Sequence, residues 1–77
     1  MSDQKFLNNL GARIKELRVS KAMTQNDLAT QCDFEKASMS RIEAGKTNIT
    51  ILTLHKISTA LNIDITEFFR TEGQTVE

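Results

Sequence analysis

The side chains best suited to meeting an outside partner gather between Glu35 and Asn48 of this 77-residue chain. Placed on a helix that begins with Glu35 and runs to Ala44, at about 100° per residue, Met39 and Ile42 point one way. Ala37, Ser40, Arg41 and Ala44 point the opposite way, with Lys36 at the margin. Small side chains let a helix approach another surface closely. Arg and Lys can then bond guanine edges or phosphates, and Ser can bond a base or a phosphate. A short helix from Thr24 and a three-residue turn precede this segment, which is the helix-turn-helix arrangement. The same faces would also suit a solvent-facing helix in an ordinary bundle, and the segment alone leaves both readings open.

Other chemistry is poorly supplied. Cys32 and His55 are each the single residue of their type and have no ligand-type neighbours at metal-binding spacing. Cys32, in an apolar setting, reads as a buried thiol. Paired carboxylates, a nucleophile–base set and a Gly-rich phosphate loop are lacking, and Glu16 and Glu43 lie on helices beside basic residues. The residues therefore predict no enzyme, no cofactor, no metal and no small-molecule ligand.

The elements that must position the Glu35–Asn48 segment follow from apolar spacing. Proline is absent, and apolar residues recur at steps of three and four, the helical period. Leu7, Leu10, Ile14 and Leu17 form the stripe of a first helix over about Lys5–Lys21, with Arg13, Lys15 and Glu16 mostly off it. Gly11 inside it costs about 1 kcal/mol relative to Ala. Thr24 caps a second helix, with Asp27 in the position of a capping-box acid, Met23 as a staple onto Leu28, and Leu28, Ala29 and Cys32 as its buried face. Gly45 ends the third helix in a left-handed conformation. Thr50 caps a fourth, striped by Ile51, Leu54, Ile57 and Leu61 and terminated by Asn62. Asp64 with Glu67 is expected to box-cap a short fifth helix carrying Ile65, Phe68 and Phe69. The chain is thus all-α, one domain over residues 1–70, with residues 71–77 a disordered tail.

Charge is uninformative as a total and more useful as a distribution. The chain carries ten Lys/Arg and ten Asp/Glu. Residues 1–56 hold nine bases and six acids, a balance of +3, and residues 57–77 hold one base and four acids, a balance of −3. No apolar run approaches the roughly 20 residues of a membrane span. An intracellular, cytoplasmic setting is expected from this and from the cysteine usage.

Separate motifs in order resemble the phage repressor/Cro-type (XRE) helix-turn-helix family. Thr24-Gln25-Asn26-Asp27-Leu28-Ala29 resembles its T-Q-x-x-L-A. Met39-Ser40-Arg41-Ile42-Glu43-Ala44-Gly45-Lys46 resembles I-S-x-I-E-x-G-K. Ile14-Lys15-Glu16-Leu17-Arg18 is similar to I-x-x-L-R, and Thr53–Ile63 to T-L-x-K-I-A-x-A-L-x-V. The resemblance implies a five-helix, lambda-repressor-like DNA-binding domain and a regulator of transcription that binds double-stranded DNA as a homodimer. It further implies that Gln25 and the helix N-terminus behind it hold a phosphate. Lys36, Ala37 and Arg41 would govern base choice, with Ser38 and Ser40 on phosphates, while Lys46, Thr47 and Asn48 would grip the backbone from the following loop. The Arg18–Glu43 pair reads as a partly buried structural ion pair, with Arg18 as a second phosphate contact the other reading. Phage repressors, restriction–modification controllers and antitoxins are all small members of the family, so an antitoxin-type module whose main ligand is a protein is the alternative.

Two positions depart from the family pattern. Asp33 stands where Gly is usual, at a turn position that tends to need a left-handed backbone. Glu35 stands where a Ser or Thr cap is usual, and both add negative charge beside the DNA-facing helix. At the C-terminal end, Ile65 and Phe68 read as core, and Phe69 or Ile63 as the dimer seam.

Overall fold

The structure, a computed structural model, describes residues 2–70. Met1 and the expected tail 71–77 lie outside the described residues. Four α-helices are present: α1 (Asp3–Ser20), α2 (Gln25–Gln31), α3 (Lys36–Glu43) and α4 (Ile51–Leu61). A 3-10 helix follows over Ile65–Phe69. Among the described residues there is no strand. The expected fifth α-helix is therefore corrected to a 3-10 turn. Five residues are too few to repay the nucleation cost of an α-helix. The tighter winding also changes the cap: Asp64 Oδ1 accepts from the backbone N–H of Thr66 at 2.9 Å and from its hydroxyl at 2.7 Å. Glu67 does not close a box; it faces Arg13 at 3.6 Å, and its carbonyl accepts from Arg13 Nε at 2.8 Å.

Local chemistry sets each helix end. α1 starts two residues earlier than its apolar stripe indicates, because Ser2 Oγ accepts from the backbone N–H of Lys5 at 3.1 Å. α2 begins with the complete capping box, Thr24 Oγ1 accepting from Asp27 N at 3.0 Å and Asp27 Oδ2 from Thr24 N at 2.9 Å. All four α-helices end in the same way. A residue at φ between 57° and 72° (Ala22, Asp33, Gly45, Asn62) reverses the chain. The next residue's N–H then returns to a carbonyl of the last turn: Met23 to Arg18, Phe34 to Ala29, Lys46 to Arg41 and Ile63 to Ser58. Asp33 and Asn62 behave as their sequence positions predict. Ala22 has no polar side chain to favour that conformation, and its left-handed backbone was not legible.

The core draws on every element: Leu10 and Ile14 from α1, Leu28, Ala29 and Cys32 from α2, Met39 and Ile42 from α3, Leu54, Ile57 and Leu61 from α4, and Phe68. Each large apolar side chain buried in this way stabilises by about 1.5–3 kcal/mol. α1 crosses α3 at Gly11. A Cβ there would lie 2.5 Å from the carbonyl oxygens of both Ile42 and Glu43. The glycine that weakens α1 is the contact surface against which the end of α3 is set.

Candidate nucleic-acid interface

α3 presents the face its sequence predicts. Met39, Ile42 and Glu43 are buried, Lys36, Ala37, Ser40, Arg41 and Ala44 are exposed, and Ser38 is half-buried at the edge. Glu35 occupies the cap position and makes no side-chain cap bond. Among the functional candidates, Ser38 and Arg41 of α3 and Thr47 and Asn48 of the following loop line one depression. Lys46 stands exposed beside them. The hydroxyl-bearing Thr50 and Thr53 line the same depression. Thr50 was legible only as a helix cap, and Thr53 only as part of the α4 motif. Their Oγ1 atoms lie 2.9 Å apart in a hydrogen bond, and Thr50 Oγ1 also accepts from Thr53 N at 3.1 Å.

Beneath this face a buried polar brace joins three helices. Arg18 of α1 donates from Nε to Glu43 Oε2 at 2.6 Å and from Nη2 to Glu43 Oε1 at 3.1 Å. Its Nη1 donates to the Met23 carbonyl at 2.6 Å. The two side chains retain 9% and 3% of their exposure, so Arg18 is structural and not available to a phosphate. Gln25, the first residue of α2, donates from Nε2 to Glu43 Oε1 at 3.0 Å. The side chain expected at a phosphate is therefore oriented by the same carboxylate that locks α1 to α3. No buried side-chain nitrogen or oxygen among the described residues is left without a partner.

The loop after α3 is held from the far side, a feature that no sequence motif signalled. Gln4 Nε2 donates to the Gly45 carbonyl at 2.7 Å and to Asn8 Oδ1 at 2.9 Å. Gly45, at φ 72°, packs so closely on Asn8 that a Cβ would meet Asn8 Oδ1 at 2.3 Å. On the opposite flank Cys32 is buried, its Sγ 3.7 Å from the Lys56 carbonyl, and burial pushes its thiol pKa up. Lys56 Nζ sits 5.7 Å above the centre of the Phe34 ring. Among the described residues no group of three or more His, Cys, Asp or Glu could hold a metal ion, and no helix is long and apolar enough to cross a membrane.

A helix-turn-helix braced in this way defines a class, and comparison with known proteins places the chain within it. The helix-turn-helix family model HTH_3 matches residues 14–68, and the protein belongs to this XRE-type family. It is 37% identical over 70 residues to the control protein C.MunI of Mycoplasma sp, covering 90% of this chain and 92% of that one. It is 37% identical over 54 residues to the control protein C.BamHI of Bacillus amyloliquefaciens, covering 69% and 67%. The restriction-modification controller protein C.AhdI from Aeromonas hydrophila superposes with a TM-score of 0.82 at 31% identity, over 84% of this chain and 98% of that one.

Proposed function

We propose that this protein is a sequence-specific, double-stranded-DNA-binding transcriptional regulator of the restriction–modification controller type, working as a homodimer on a two-fold operator. One observation carries the reading. The small and basic face of α3 stands free and shares a depression with the 47–48 loop, directly above a buried brace that fixes the helix against α1 and α2. A protein built to read a groove needs a rigid helix with its short side chains outward. In this reading Arg41 and Lys36 bond base edges and Ala37 allows close approach. Ser38, Ser40, Lys46, Thr47, Asn48 and the α2 N-terminus at Gln25 hold phosphates. The similarity to control proteins favours this over an antitoxin-type role. Two copies are required because one recognition helix spans only about four or five base pairs, too few to define an operator.

The test is selection from a pool of random double-stranded DNA, with Arg41→Ala as control. The expected result is a two-fold symmetric motif, weakened in the control by about 1–3 kcal/mol per half-site while circular dichroism shows unchanged helix content. Enrichment of no motif, or the same motif with equal affinity in Arg41→Ala, would sink the assignment.

A further inference from the structure

The peptide unit that leads into Lys46 is fixed at both of its polar ends. Its N–H, on Lys46, donates to the Arg41 carbonyl at 2.9 Å and so belongs to the cap of α3. Its carbonyl, on Gly45, accepts from Gln4 Nε2 at 2.7 Å, a side chain on the first turn of α1. The same amide nitrogen, which carries two donors, also donates to Asn8 Oδ1 at 2.9 Å, one helical turn further along. Gly45 is buried and set hard against α1: an added Cβ would lie 2.8 Å from Asn8 Cα and 2.9 Å from Asn8 N. The other left-handed helix ends have no such tie. Among the described residues, the remaining side-chain bonds to backbone carbonyls reach Glu67, Met23, Leu17, Lys56 and His55, and none reaches Ala22, Asp33 or Asn62. At its far end the loop is anchored by Ile49, which packs partly buried against the core. Between these fixed points Lys46 and Asn48 are exposed and Thr47 is half-buried.

We infer that Gln4 is a positioning residue for DNA binding: it holds the Gly45–Lys46 peptide so that the Lys46 side chain leaves the protein already aimed at a phosphate. The inference rests on the proposed DNA reading for the partner and on the geometry of the tie for the role. A peptide plane bonded at one end can still tilt about that bond. Bonded at both ends, it sets the direction in which the next Cα–Cβ bond leaves. That direction matters because ordering a loop and its side chains on association opposes binding, and a loop fixed beforehand has less freedom to lose. Stability does not account for the tie. Gln4 is exposed, and its bonds are not shielded as the Arg18–Glu43 brace is. Contacts to phosphates fix register and supply affinity but carry no sequence information. Gln4 therefore acts on affinity and on salt dependence, and not on which bases are chosen.

The experiment compares the full chain with Gln4→Met and Gln4→Asn, each also combined with Lys46→Ala. Met keeps the length and helix propensity of Gln without its donors, and Asn is one methylene too short for the same bonds. Binding is read by fluorescence anisotropy on the DNA selected above and on a duplex of random sequence, over a range of salt. Amide exchange in the free protein is read by NMR at Lys46. Ile63 is the internal control, since its N–H closes the corresponding bond to Ser58 at 3.0 Å without a side-chain tie. Both single variants should bind about two- to tenfold more weakly per half-site, the scale of one side-chain hydrogen bond. The slope of log affinity against log salt should fall by up to about 1 per subunit, and the selected motif should stay the same. Lys46 N–H should exchange several-fold faster while Ile63 is unaltered. In the Lys46→Ala background the same changes should weaken binding by less than about twofold, because the contact they position is gone. Wild-type affinity and salt slope in both variants would overturn the inference. So would a changed motif, fully additive losses with Lys46→Ala, or exchange that rises equally at Ile63 and Lys46, the mark of a general loss of stability. The DNA reading fails separately: a wild type that binds no duplex, while Gln4→Met still loosens Lys46 alone, refutes DNA as the partner and leaves the tie as a loop anchor.

Discussion

Glu43→Ala breaks the buried brace at its centre. It removes the acceptor of two Arg18 bonds, at 2.6 and 3.1 Å, and of the Gln25 bond at 3.0 Å. The Arg18 guanidinium remains buried with only the Met23 carbonyl as partner. Stranding one member of a buried pair costs about 3–5 kcal/mol. At about 0.05–0.15 kcal/mol per residue, a domain of this size holds only about 4–12 kcal/mol in total. The variant should therefore lose from about a quarter to all of its stability, and urea unfolding followed by circular dichroism at pH 7 reads this directly. Arg18→Met/Glu43→Leu removes both charges together and should recover most of the loss, since apolar replacement of a buried pair is often neutral. Glu43→Gln, which keeps an acceptor for Arg18 or Gln25 but not all three bonds, should fall between. A loss below about 1 kcal/mol in Glu43→Ala would refute the reasoning, because that is the scale of a solvated surface pair.

Gly11→Ala sets two effects against each other. Helix propensity favours Ala by about 1 kcal/mol, but the added Cβ would meet two backbone oxygens at 2.5 Å. Neither oxygen can swing away, so the variant should be net destabilised by about 1–3 kcal/mol, and a raised urea midpoint would contradict the packing argument. Asp27 provides a pH dependence. The backbone N–H of Thr24, and next its side chain, hold the Asp27 carboxyl below its ordinary pKa. The cap contribution is thus complete above the unfolded-state value of about 3.9 and is lost as pH falls through the lower folded value. Asp27→Asn should flatten the acid limb of urea stability measured between pH 6 and pH 3, and an unchanged limb would place the dependence elsewhere. Lys46→Ala should weaken DNA binding evenly across sequences and reduce the slope of log affinity against log salt by about 1 per subunit. A change in the selected motif would assign Lys46 to base reading instead.

Much of the fold was legible because its signals are local. The caps at Thr24 and Thr50, the left-handed ends at Asp33, Gly45 and Asn62, and the stripe through Leu10 and Ile14 all depend on residues within a few positions of one another. The faces of α3 were legible for the same reason, since two buried anchors fix the rotation of an eight-residue helix. What was not legible joins residues far apart in the chain. Nothing near Gln4 announces its bond to Gly45, 41 residues away, and nothing near Gln25 points to Glu43. The cost of Gly11 to α1 was visible in sequence, but its benefit was not, because the benefit lies in the carbonyls of another helix. The end of the chain was misread for a different reason: Asp64 and Glu67 satisfy the spacing of a capping box, but spacing does not determine whether five residues wind as an α-helix or more tightly.

A formal charge of zero is weak evidence against a DNA surface once the dimensions are considered. Exposed charges are screened over about 8–10 Å at physiological ionic strength, while the molecule spans 37 × 24 × 20 Å. The acids of residues 57–70 include Glu67, which is engaged with Arg13 and Arg70 rather than free to act at a distance. Glu43 is neutralised in the brace. Near α3 the relevant balance is Lys36, Arg41 and Lys46 against Asp33 and Glu35. Asp33 is held in place by backbone geometry, at φ 60°, and Glu35 makes no cap bond that would explain it structurally. Non-specific affinity comes from phosphate neutralisation, whereas discrimination comes from base edges. Two acids beside α3 lower the first; in the proposed reading the second falls to Arg41 and Lys36. The local charge pattern therefore predicts weak binding to random DNA, which a salt titration on a duplex of random sequence would check.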